Sequence, residues 1–242
     1  MRLSKLSGNS TRNKLLIAVA ICSTAFAGQL TDNTLATGRN LFTTVPASLL
    51  AAGAASSFLA YKTEGPEGYC GFMPESPFST LDRVDDFLFG KALPVSSAAI
   101  WIAGKATGSY DLEITGEELC RGLLYSYGLT WIVKISTERA RPDGTGSGSF
   151  PSGHAAGASC TAVVLWHNYG ARAGIPAAAV ALYTCLSRVN LGRHFPSDIL
   201  MGAAVGTACG IAASMVYEGP STDGMSLSLS IDTEGRITPG LW

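Results

Sequence analysis

Six stretches of the chain are dominated by apolar residues: Leu41 to Tyr61, Ala92 to Gly104, Leu119 to Val133, Ala155 to Tyr169, Ala173 to Leu186 and Ile199 to Tyr217. Gly, Pro, Ser and charged residues lie between them, which is the punctuation expected between helices. The pattern predicts six helices packed as one bundle. Only the first and last stretches approach the roughly 20 residues needed to cross a bilayer, whereas runs of about 10 to 14 belong more often to buried core helices. Leu41 to Tyr61 carries no charge, yet Thr43, Thr44, Pro46, Ser48, Ser56 and Ser57 make it a mediocre span. Near the end the period changes. Ser226 to Ile231 alternates Ser with apolar residues, Asp232 to Gly235 offers turn chemistry, and Arg236 to Thr238 follows, so a short C-terminal β-hairpin is expected. The fold class is therefore all-α, with a helical domain over 28–218 and a tail over 219–242.

The first 27 residues have a different character. Arg2, Lys5, Arg12 and Lys14 stand there without any acid, an apolar run follows from Leu15 to Ile21, and Ala25-Phe26-Ala27 closes the segment. This reads as a secretory signal peptide over 1–27, with an uncleaved anchor helix as the alternative. Export would place the protein in the periplasm or beyond. Losing four of the 17 basic residues, against 18 acidic ones, would leave a net charge of −5.

Composition narrows the function classes. At 242 residues the chain holds one ordinary domain, and 47% hydrophobic with only 14% charged residues excludes a disordered chain. Basic and acidic residues nearly balance, so no positive field exists to gather nucleic acid, which is not an expected partner. Five cysteines would remain after cleavage: Cys70, Cys120, Cys160, Cys185 and Cys209. They show no zinc-ligand spacing, and four of them sit in Ala/Gly-rich segments where a thiol packs as a small hydrophobe. The cluster Asp82, Asp85 and Asp86 has no nearby His or Cys and reads as a solvated helix start.

Three short stretches concentrate the reactive groups. In the first, Lys134 and Arg141 are seven residues apart, close to two helical turns, so a helix would present both cations on one face before Pro142 stops it. The second is Phe150-Pro151-Ser152-Gly153-His154. Here Ser152 is placed as an N-cap, Gly153 permits close backbone approach, and the free amides of the first turn form an anion site with His154 at its edge. The third runs from Ser187-Arg188 to His194 and Asp198. Pro196 suits the first turn of the last helix, placing Asp198 within reach of His194 four positions earlier. A carboxylate on one imidazole nitrogen fixes the tautomer and leaves the other free as a nucleophile, while Arg188 supplies a planar fork for two phosphate oxygens. Of three histidines in the chain, two fall in these motifs. The third, His167, is read as an ordinary residue near a helix end.

Taken in this order, the stretches resemble the type 2 phosphatidic acid phosphatase superfamily, which also includes bacterial non-specific acid phosphatases and vanadium-dependent haloperoxidases. Its signature is K-x6-R-P, then P-S-G-H, then S-R-x5-H-x3-D. Lys134, Arg141, Pro142, Pro151, Ser152, Gly153, His154, Ser187, Arg188, His194 and Asp198 meet every fixed position. The resemblance covers Leu119 to Tyr217 in detail. It departs from many relatives in the short spacer, Asp143 to Phe150, between the first two motifs.

The resemblance implies a six-helix bundle of the acid phosphatase and haloperoxidase type, and a phosphatase that needs neither metal nor cofactor. His194 would attack phosphorus and form a phosphohistidine, Asp198 would orient its imidazole, and His154 would protonate the leaving alcohol and then activate water. Lys134, Arg141, Ser152, Gly153 and Arg188 would hold the phosphate oxygens. Four readings remain: a membrane-associated enzyme acting on a lipid phosphate, favoured by the apolar scaffold; a soluble acid phosphatase acting on small phosphomonoesters; a vanadate-dependent haloperoxidase; and a non-catalytic phosphate-binding or envelope protein.

Overall fold

A computed structural model describes residue 28 and residues 30–65, 83–84, 87–218, 227–231 and 237–241. The leader, the acidic cluster, Cys70 and the turn of the expected hairpin lie outside the described residues. The chain divides into a short unit, Met1–Ala36, in which residues 30–36 are helical, and a unit Thr37–Trp242 that holds the rest.

The second unit is mostly helical. After a helical stretch over 37–40 come α1 (Thr44–Thr63), a π-helical turn (Leu88–Ala92), α2 (Leu93–Thr107), α3 (Tyr110–Thr137), α4 (Gly153–Tyr169), α5 (Ala171–Asn190) and α6 (Pro196–Glu218). Each apolar stretch of the sequence lies largely within one of the six numbered helices, and the leading helical stretch and the π-helical turn add to them. Strands β1 (Leu227–Ile231) and β2 (Ile237–Leu241) pair antiparallel, with Leu227 opposite Leu241 and Ile231 opposite Ile237.

The largest difference from the sequence pattern is in α3, which begins nine residues before Leu119. Its first turn is exposed, but the polar residues that follow from Thr115 are not. Glu117, Glu118 and Arg121 are buried, and Arg121 lies 3.5 Å from Glu117 and donates to Thr37 at 2.8 Å. Glu118 accepts from Asn168 at 2.7 Å and Ser214 at 3.1 Å, and Tyr217 donates to Glu117 at 2.7 Å. Paired charges replace apolar side chains as the packing surface, so hydrophobic periodicity is lost where the helix continues.

Helix α4 packs against α3, α5 and α6, while α1 lies along α6 and α2 along α3. The innermost residues of α4 and α6 have small side chains: Ala155, Ala156, Cys160 and Val164 on α4, and Ala208, Cys209, Ala212 and Ala213 on α6, are inaccessible to solvent, with Leu93, Leu119 and Leu123 packed in the core beside them. Glycines bring these two helices to backbone contact. A Cβ at Gly202 would overlap the carbonyl oxygen of Ser152, and one at Gly206 would overlap that of Ala156. Cys120, Cys160, Cys185 and Cys209 are not joined in disulfides, and Cys160 and Cys209 are buried in the core as small hydrophobes.

The outer faces are also apolar. Phe58 and Leu59 on α1, Val95 and Ile102 on α2, Leu124 and Trp131 on α3, and Leu182 on α5 are all more than half exposed. By length and composition, Thr44–Thr63 and Pro196–Tyr217 could each cross a membrane.

Candidate active site

The three motif stretches converge at one end of the bundle, where α3 ends and α4 and α6 begin. Lys134 lies in the last turn of α3, and its ammonium donates to the carbonyl of Gly148 at 2.5 Å. The sequence spacing placed Arg141 on the same helical face, but α3 stops at Thr137. Glu138 takes a left-handed conformation (φ 44°), and the hydroxyls of Ser136 and Thr137 bond back to the carbonyls of Ile132 and Val133. Arg141 therefore sits in the following loop, with its amide bonded to Gly146 O at 3.0 Å.

The second stretch folds as its residue types dictate. Ser152 is the N-cap of α4 and its hydroxyl accepts from Ala155 N at 3.4 Å. Gly153 and His154 are the first two helical residues, both half-buried, so their end of α4 presents its free amides toward the loop. The amide of Ser152 donates to the carbonyl of Asp198 at 2.9 Å, which registers the start of α4 against the start of α6. His167 lies in the last turn of α4, at the far end from His154.

The third stretch supplies the buried centre. Arg188 is 2% exposed, and its carbonyl accepts from the amides of Arg193 and His194, folding the loop that follows α5 back on itself. Pro196 is the first residue of α6 and Asp198 lies in its first turn. His194 Nδ1 faces Asp198 Oδ2 at 3.6 Å, and the hydroxyl of Ser149, which donates to the same carboxylate oxygen, stands 3.5 Å from Nδ1. Asp198 Oδ2 also accepts from Phe195 N at 2.8 Å, and Oδ1 accepts from Arg139 Nη1 at 2.7 Å. The carboxylate is fully buried yet saturated with donors.

With Nδ1 directed at a carboxylate, the tautomer protonated at Nδ1 is favoured, and Nε2 carries the lone pair. Burial lowers the proton affinity of His194, the cations Lys134 and Arg141 lower it further, and the hydrogen bond and charge of Asp198 oppose both. Burial and the cations prevail, so the imidazole is neutral at ordinary pH. Among the described residues, no three His, Cys, Asp or Glu side chains converge as a metal-binding group.

Three contributors to this centre carry no fixed place in the motifs: Ser149, Arg139 and Glu64. Arg139 reads in the sequence as one more cation near a helix C-terminus. Ser149 is one polar residue in a Gly/Ser spacer. Glu64 ends α1 and meets its partner Arg139 across 75 residues, a separation that no local pattern reveals.

An apolar groove of about 540 Å³ lies between α2 and α3. Leu123, Leu124, Tyr127, Gly128 and Trp131 line it from α3, with Pro94 and Ser97 opposite. Residues 124, 127, 131 and 134 recur at helical spacing, so the groove leads toward Lys134 along one face.

The chain is similar to three phosphatases. A lipid A 1-phosphatase of Porphyromonas gingivalis is 34% identical over 123 residues, covering 48% of this chain and 27% of that protein. A lipid A 4'-phosphatase of Helicobacter pylori is 30% identical over 136 residues, covering 52% of this chain and 65% of its own length. A decaprenylphosphoryl-5-phosphoribose phosphatase of Mycobacterium tuberculosis is 30% identical over 108 residues, covering 40% and 59%. The chain thus spans less than two thirds of each of these relatives. No solved structure gives a significant match. The PAP2 superfamily matches residues 118–219, a range that holds every motif residue from Lys134 to Asp198. Residues 118–219 of this chain are a PAP2 superfamily domain.

Proposed function

We propose that this chain is an exported, membrane-associated phosphatase that hydrolyses a lipid phosphate monoester through a phosphohistidine. The observation that carries the reading is the neutral, buried His194, held by Asp198 beside Lys134 and Arg141. Nε2 of His194 would form a bond to phosphorus as the bond from phosphorus to the ester oxygen breaks. The leaving alkoxide would take a proton from His154. Water, deprotonated by His154, would then attack the phosphohistidine, releasing phosphate and restoring the imidazole. Lys134, Arg141 and Arg188, with Ser152 and the Gly153 amide, would hold the three oxygens on which charge spreads in the transition state. Fixed cations serve here where other phosphatases use a metal.

Two features support a lipid substrate. The groove beside α3 would accept an apolar chain whose phosphate lies near Lys134, and the apolar outer faces of α1, α2, α3 and α5 suit a bilayer. All three relatives are named for phosphates carried on lipids. The basic leader ending at Ala25-Phe26-Ala27 supports export.

The test is turnover by the detergent-solubilised full chain on a long-chain lipid phosphate and on p-nitrophenyl phosphate. Both should release phosphate in the presence of EDTA, with the lipid preferred. An alkaline quench should trap phosphate on His194, and His194→Ala should be inactive and unlabelled while folded. Activity lost to EDTA and restored by a divalent metal would overturn the mechanism. A label on another residue would reassign the nucleophile.

A further inference from the structure

Arg139 is surrounded by acceptors. Its Nη1 donates to Asp198 Oδ1 and to Ser197 Oγ, each at 2.7 Å, and its Nη2 donates to Glu64 Oε2 at 2.9 Å. The guanidinium lies 4.0 Å from the centre of the Phe195 ring, with the Tyr61 ring at 5.1 Å. Glu64 does more than balance this charge. It also accepts from Ser197 N at 2.6 Å and Ser197 Oγ at 2.7 Å, clamping the first turn of α6, and its side chain is 3% exposed.

This geometry separates Arg139 from the three cations assigned to phosphate. Two carboxylates and a hydroxyl occupy its fork, and aromatic rings lie against its charge, so it has little capacity left for an anion. Its contact with the reaction runs through Asp198. With Oδ1 fixed by Arg139, the carboxylate plane is set and Oδ2 is turned to His194. Without Arg139, Oδ1 would lose a charged donor in a fully buried position, so the carboxylate would lose its fixed plane while Ser149 and Phe195 N still keep Oδ2 beside the imidazole.

We propose that Arg139, anchored by Glu64 at the end of α1, is the positioning residue for Asp198 and, through it, for His194. The inference rests on His194 being the nucleophile. Charged groups facing His194 are Asp198 from α6, Lys134 from α3 and Arg141 from the intervening loop. Arg139 acts on it by partly neutralising Asp198.

The experiment compares wild type with Arg139→Gln, Arg139→Lys and Glu64→Gln, using kcat, KM, the pH profile and an NMR titration of His194 in the resting protein. Arg139→Gln should lower kcat by about a hundredfold, the cost of a misplaced reacting group, with KM changed less than about threefold. The unshielded carboxylate would hold a proton on His194 more firmly, so both the acid limb and the His194 titration should move to higher pH. Arg139→Lys should recover part of kcat. Glu64→Gln removes the competing carboxylate and should move the titration the other way, which tests the proposal even where Arg139→Gln does not fold.

A raised KM with unchanged kcat would make Arg139 a phosphate ligand and overturn the proposal. A fall in kcat with no movement of the acid limb or of the His194 titration would reduce it to a structural role. If wild type releases no phosphate from any ester, the functional reading fails by itself, while the NMR titration still decides whether Arg139 governs the Asp198–His194 pair.

Discussion

At the residue scale, the proposed mechanism makes the neutral form of His194 the reactive one, and its proton affinity is lowered by burial and by Lys134 and Arg141. The enzyme should lose activity only as pH falls through that depressed pKa. The acid limb of kcat/KM for a soluble phosphate ester is thus expected below pH 6.5, the ordinary value for histidine. A pH–rate series checks this, and a limb at or above 6.5 would show that Asp198 outweighs desolvation. The motif residues were legible because anion chemistry demands fixed residue types at fixed spacing: a cap at Ser152, a carboxylate four residues after His194, cations flanking both. The residues that orient them were not. Any hydroxyl can donate to a carboxylate, so Ser149 bears no distinguishing mark, and Glu64 reaches the site only because α1 packs along α6.

Among the elements, two glycines with opposite surroundings make opposite predictions. A Cβ at Gly206 would overlap the backbone of Ala156, so Gly206→Val forces α6 away from α4, where the hydrogen bond from Ser152 N to Asp198 O aligns the two motif segments. We expect destabilisation of about 1–3 kcal/mol, read by thermal unfolding, with a drop in activity on every substrate. Gly128, on the groove wall, has no atom within 4 Å of where a Cβ would stand. Gly128→Leu should fold at least as well as wild type, since glycine is a poor helix former. It should slow hydrolysis of a long-chain lipid phosphate while leaving p-nitrophenyl phosphate unaffected. Equal rates on the lipid would exclude the groove as the chain-binding surface. The helices themselves could be read from apolar runs wherever apolar side chains fill the interface. Their limits could not be read where buried ion pairs fill it, as in the first half of α3, nor where Glu138 ends α3 before Arg141.

For the whole molecule, exposed Phe58, Val95, Ile102, Trp131 and Leu182 distribute apolar surface over four helices. On the proposed function, this surface would face an apolar phase. On expression, the chain should remain with membranes through washes at high salt and alkaline pH and should be released by detergent, as followed by immunoblot and phosphatase assay. Recovery in the soluble periplasmic fraction, with preference for a small ester, would favour the soluble acid phosphatase reading instead. The sequence expressed this character through its low charge, but it did not divide apolar residues between core and surface, because large apolar side chains occur in both: Leu119, Leu123 and Ile199 are buried, whereas Leu124, Trp131 and Leu182 are exposed. The groove belongs to α2 and α3, whereas the reactive centre is built from the ends of α3, α4 and α6. On the proposed function, mutations could therefore remodel the groove wall without disturbing the reactive end, and descendants of such a chain could exchange one lipid for another in single neutral steps while inheriting the same chemistry.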